Sequence, residues 1–116
     1  MEEARKQVRL TMRAEIAYVV LPSGTAQETH THDVSATGVR LALDHALPPG
    51  TQLQIAMALP GVEEPVNAVA EIIWSHEQQL TGKTGQQRSA QAGARFAEIA
   101  PKDQEAISQV IAQHLR

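Results

Sequence analysis

The sequence predicts an all-β domain: six strands forming a small antiparallel barrel or sandwich, with one C-terminal helix over an open end. Three observations carry this. Apolar residues recur at every second position through most of the chain, the spacing of half-buried strands. Breaks containing Pro and Gly cut that alternation into short lengths. Only the last stretch changes period, placing Ile107, Val110, Ile111 and Leu115 on one helical face.

Residues 1–9 are polar and charged, with Val8 the only large apolar residue after Met1. They read as a mobile N-terminal arm, and the domain proper spans 10–116. From Leu10 the alternation is clean: Leu10, Met12, Ala14, Ile16, Tyr18 and Val20 share one face, and Thr11, Arg13 and Glu15 the other. Pro22-Ser23-Gly24 is a turn. Residues 25–33 are polar and Thr-rich and pair back as a second strand. Gly38 opens a third, with Val39, Leu41 and Leu43 inward and Arg40 outward. Pro48-Pro49-Gly50 is a firm break. Alternation returns through Leu53, Ile55, Met57 and Leu59, and Pro60-Gly61 turns the chain again. Residues 65–76 form a long fifth strand ending in Ile72, Ile73 and Trp74. Residues 77–90 hold Gln, Gly, Ser, Thr and charge, which predicts a long exposed loop. Residues 91–98 are the sixth strand. Ala100-Pro101 starts the helix, over about 101–115, because proline suits a first helical turn.

The length of 116 residues is that of one domain. Aromatic residues make up 3% of the chain, so its core is aliphatic. A net charge of −3 argues against a general DNA- or RNA-binding role or an anionic-membrane surface. The charge is uneven: Arg5, Lys6, Arg9 and Arg13 place four of the ten basic residues in the first thirteen positions. A basic end on an acidic chain points to a compact anionic ligand. There is no cysteine, hence no disulfide framework and no thiolate chemistry, which fits a reducing, cytoplasmic compartment. No apolar run reaches the ~20 residues that span a bilayer, so no direct membrane insertion is expected. The charged N-terminus lacks the apolar core of a secretory signal.

Two short motifs carry the chemistry. Arg5-Lys6-Gln7-Val8-Arg9 is an RxxxR. Asp33-Val34-Ser35-Ala36-Thr37-Gly38 is a DxSxxG. Arginine offers a planar fork of donors that matches phosphate or the acceptor edge of guanine. Aspartate accepts from the N1–H and N2–H2 donors of guanine. Serine and glycine allow close approach of backbone and ligand. Taken alone, Asp33, Ser35 and Gly38 equally make an ordinary hairpin turn, with Gly38 supplying positive φ.

Other groups offer less. His30 and His32 lie on one strand face, a spacing that can chelate zinc, but a metal needs three or four ligands. His45, His76 and His114 have no motif context, and no metal or cofactor is expected. Gly82-Lys83-Thr84 lacks the glycine five positions earlier that a phosphate loop requires, because that position is Glu77. Nothing resembles a nucleophile elbow or an oxyanion hole, so the chain is not expected to be an enzyme.

The two motifs, in this order with a strand-like segment between them, resemble the PilZ domain family, bacterial receptor modules for the second messenger cyclic di-GMP. The resemblance extends over nearly the whole chain. Ile72-Ile73-Trp74 is similar to the family's late apolar strand, and Gly93-Ala94-Arg95-Phe96 to its closing G-x-x-F strand. It implies a six-stranded barrel with a C-terminal helix, and a non-catalytic sensor of cyclic di-GMP. Arg5 and Arg9 would bind phosphates and guanine from the arm, which ligand would order. Asp33 and Ser35 would meet guanine from the barrel surface, and Gly38 would allow the turn. Trp74 is either a packing residue or a surface for stacking a purine. Arg95 is either a surface charge or an extension of the phosphate site. His32 would be a polar wall beside the ligand. The implied partners are cyclic di-GMP and a downstream protein or fused effector domain. The alternative is an adaptor of the same fold that binds a protein and responds weakly or not at all to nucleotide.

Overall fold

The structure is a computed structural model that describes residues 8–82 and 85–114, with the backbone alone described at 78–82 and 85–88. Seven strands precede one helix: β1 (Leu10–Thr11), β2 (Glu15–Val20), β3 (Ala26–Val34), β4 (Gly38–Leu43), β5 (Gln52–Ala58), β6 (Val66–Gly82), β7 (Gly85–Ile99) and α1 (Pro101–His114). The order β3-β2-β5-β6-β7-β4 is closed by β3–β4 pairing, giving a six-stranded antiparallel barrel. The short β1 pairs with Asp33 and Val34, the end of β3 that β2 leaves uncovered.

The predicted inward positions are the buried ones. Leu41, Leu53, Ile55, Met57 and Ile72 are fully enclosed, joined by Ile107 of α1. Each such side chain contributes roughly 1.5–3 kcal/mol by leaving water. Ile107, Val110 and Ile111 turn the helix face onto the barrel. Ala100 O accepts from the amides of Asp103 and Gln104, so the helix begins at the proline as its chemistry requires. Leu115 lies outside the described residues. No helix among the described residues is long and apolar enough to cross a membrane.

The structure departs from the sequence reading in two places. The alternation from Leu10 to Val20 is unbroken, but the strand is not. Thr31, buried on β3, donates its hydroxyl to Met12 O at 2.6 Å and accepts from Ala14 N at 2.8 Å. That side chain takes Met12 O and Ala14 N, while Met12 N still donates to His32 O and Thr31 N to Ala14 O, and the run is split into β1 and β2. The loop expected at 77–90 is instead paired strand: β6 and β7 continue in register from Glu77↔Ala90 to Gly82↔Gly85. Residues 77–82 and 85–89 are mostly Gln, Gly, Thr, Ser and charge, without the apolar alternation that marks the other strands, and their backbone is paired across the hairpin.

Candidate functional site

The turn from β3 to β4 organises the site. Ser35 is almost wholly enclosed. Its Oγ accepts from Gly38 N at 3.2 Å and Thr37 N at 3.3 Å, while its amide donates to Gly38 O at 2.9 Å. Ser35 therefore acts first as the internal tie of the turn. Gly38 has a different reason from the one its sequence context suggests. Positive φ is found at Gly50 and Gly61 only, among the described residues. At Gly38 a Cβ would lie 2.4 Å from Ala94 O, so glycine is needed for the close approach of β7. Phe96 N donates to Thr37 O at 2.8 Å and fixes the turn to the same strand. From the other side, Gln104 Nε2 of α1 donates to Ala36 O at 2.9 Å.

Asp33 sits beside a register shift between Thr31 and Asp33, with His32 the extra residue. Its side chain is 11% exposed, yet its two oxygens have different cationic partners. Arg9 donates from a terminal nitrogen to Oδ1 at 2.5 Å. Arg40, directly across on β4, brings Nε within 2.9 Å of Oδ2. This second contact is an ion pair without an aligned hydrogen bond: the buried Nε donor has no hydrogen-bond partner among the described residues. Arg9 is thus paired with a barrel residue, its side chain still half exposed. Arg5 lies outside the described residues.

The register lays out the surface next to Asp33. Asp33 on β3 faces Arg40 on β4, Arg40 faces Gly93 on β7, and Gly93 faces Trp74 on β6. A carboxylate, a guanidinium, a bare backbone position and an indole therefore lie in one row, about 4.8 Å apart per strand. Ile73 is bulged between Ile72 and Trp74, which leaves both Ile73 and Trp74 exposed. The indole covers Gly93, where a Cβ would come within 2.3 Å of Trp74 Nε1. On its other flank Trp74 stacks on His76, with ring centroids 5.4 Å apart and 17° between planes. Trp74 is a surface residue, not a core one, and the glycine of G-x-x-F is what lets it lie flat.

Arg9, Gly38, Trp74, Gly93 and Arg95 line a shallow cleft of about 190 Å³. Arg95 is held at its edge by Glu71 at 2.6 Å and is mostly exposed. His32 is half-buried and meets His30 edge-on, with centroids 5.4 Å apart. Burial, then Arg13, then His32 hold the His30 imidazole below the ordinary histidine range, with Glu15 opposing. Among the described residues no three His, Cys, Asp or Glu side chains come together as a metal site. A larger hollow, about 250 Å³, is lined by Ala17, Ala56, Ala58 and Pro65 with Glu15 and Glu28. Two carboxylates there repel the anionic ligand that the arginine cluster attracts.

Sequence reasoning identified Arg9 and Asp33, which the structure brings together. It missed Arg40, and it read Gly93 only as the first residue of the G-x-x-F strand. Arg40 read only as an outward strand position; its place opposite Asp33 needed the β3–β4 register, including the bulge.

The statistical model of the family described as "PilZ domain" matches residues 3–113. No curated protein shows a significant sequence match to the chain. Among solved structures, the fold is similar to the PilZ domain of YcgR from Escherichia coli, solved with c-di-GMP: TM-score 0.70, 16% identity, covering 96% of this chain and 91% of that one. It is also similar to the K. pneumonia MrkH–c-di-GMP complex, with TM-score 0.75, 13% identity and 96% coverage of this chain. The Bacillus subtilis inhibitor of motility MotI/DgrA gives TM-score 0.70, 19% identity and the same 96% coverage. The chain spans 51% of the length of each of the last two. At these identities the likeness is one of fold.

Proposed function

The chain belongs to the PilZ domain family, and from that premise we propose that it is a non-catalytic, cytoplasmic receptor for cyclic di-GMP. The observation that carries the reading is the meeting of Arg9 and Asp33, 24 residues apart in sequence, with Arg9 also lining a cleft that holds an exposed indole. These are the three group types that a phosphorylated guanine ligand requires: a guanidinium for phosphate, a carboxylate for the guanine N–H edge, and a flat apolar face for the purine. The solved YcgR domain and MrkH, which share the fold, are complexes with c-di-GMP.

In this reading Arg5 and Arg9 take the phosphates and Asp33 accepts from guanine. Ser35 and Gly38 hold the turn that presents Asp33 and border the base. Trp74 stacks on a purine, Arg95 extends the phosphate site at the cleft edge, and His32 walls the far side. Ligand draws Arg9 away from the carboxylate and orders the N-terminal segment over the turn. Each charge-assisted bond contributes about 1.5–3 kcal/mol, against roughly 1–2 kcal/mol for each backbone residue ordered. A downstream protein, or an effector domain fused to this one, reads the repositioned segment.

Amide hydrogen exchange with and without cyclic di-GMP tests this. Protection is expected to rise at residues 4–10 and 33–38 and to change little in β5. No change in either segment at saturating nucleotide would contradict the proposal.

A further inference from the structure

As a receptor residue Arg9 has two roles. It is paired with Asp33 in the structure, and it must reach ligand phosphate. Moving it away would strip a nearly buried carboxylate of a cation, and an uncompensated buried charge is strongly unfavourable. Asp33 has a second cation on its other oxygen. Arg40 projects from β4 at the position directly opposite, with Nε 2.9 Å from Oδ2. It is fixed to the barrel by strand pairing on both sides, to Asp33 and to Gly93. Its Nε is buried and has no aligned acceptor among the described residues, which costs free energy while it lasts. A carboxylate released by Arg9 can turn toward that donor and complete the bond. A carboxylate offers about four lone-pair sites, so Oδ1 is then available to guanine.

We propose that Arg40 is the resident counter-charge of Asp33, the positioning residue that allows Arg9 to leave the carboxylate for the phosphates of the guanine ligand. The inference rests on the receptor reading and adds to it a residue outside both sequence motifs. Arg9 and Arg40 then act as a unit, so their deletions are not additive.

The test is a double-mutant cycle read by calorimetric titration with cyclic di-GMP, using Arg9→Ala, Arg40→Gln and the pair. Arg40→Gln is expected to weaken binding about tenfold or more, because Arg9 is then retained by Asp33. Arg9→Ala, costly in the parent, is expected to weaken the Arg40→Gln protein by no more than about threefold further. Arg40→Lys keeps the cation and is expected to bind within about threefold of the parent. Exchange without nucleotide gives an independent readout: the amides of Arg9 and Leu10 should be more protected in Arg40→Gln than in the parent. A merely structural role for Arg40 gives additive losses and faster exchange, and either result overturns the proposal. So does an Arg40→Gln protein that binds as the parent does. In both cases the parent still binds, and the receptor reading stands. A parent that takes up no nucleotide overturns the receptor reading, and the role given to Arg40 falls with it.

Discussion

Asp33 is where charge, burial and strand register meet. A carboxylate this enclosed persists because two guanidiniums approach it from different segments of chain. In the proposed complex it accepts from the N1–H and N2–H2 of guanine, donors that adenine lacks. Asp33→Ala is therefore expected to weaken cyclic di-GMP binding ten- to a hundredfold, about 1.5–3 kcal/mol, and to change cyclic di-AMP binding little. Parallel titrations with both nucleotides check this; a mutant that discriminates as well as the parent contradicts the guanine role. Arg9 and Asp33 were legible in the sequence because residue type and spacing carry the chemistry. Arg40 and Gly93 were not, because their significance depends on which residue lies across the strand. Two bulges, at His32 and at Ile73, decide that register; the first leaves no trace in the alternation, and the second shows only as the apolar run Ile72-Ile73-Trp74.

The elements differ in how plainly the sequence announces them. Strands β4 and β5 and the inner face of α1 bury apolar residues at regular spacing, and they appear where that spacing puts them. The outer reach of the β6–β7 hairpin is polar and lacks apolar alternation, so its composition reads as loop although its backbone is paired. The break between β1 and β2 is set by a single hydroxyl, that of Thr31, which no periodicity records. One contact links distant elements directly to the site: Gln104 of α1 donates to Ala36 O within the DxSxxG turn. Gln104→Ala removes a partly buried hydrogen bond of about 0.5–1.5 kcal/mol. Its thermal midpoint is expected to fall by about 4 °C, with faster amide exchange at residues 35–38. An unchanged midpoint and unchanged exchange in the turn would show that α1 does not brace it.

At the scale of the whole molecule, an acidic domain of net charge −3 gathers basic residues at one end of its chain and one patch of its barrel. The barrel supplies a rigid floor, made of Asp33, Arg40, Gly93 and Trp74 on adjacent strands. In the proposed complex the N-terminal segment supplies the arginines that close over the ligand. In the proposed receptor this floor and those arginines together bind cyclic di-GMP. The most direct measurement is calorimetric titration of cyclic di-GMP into the parent and into Arg9→Ala side by side. The parent should give saturable binding and the variant about tenfold weaker binding or worse. Their thermal midpoints without ligand should be nearly equal, since Arg40 still pairs with Asp33 when the half-exposed Arg9 side chain is gone. No binding heat in the parent, or equal affinity in the two proteins, would contradict the account.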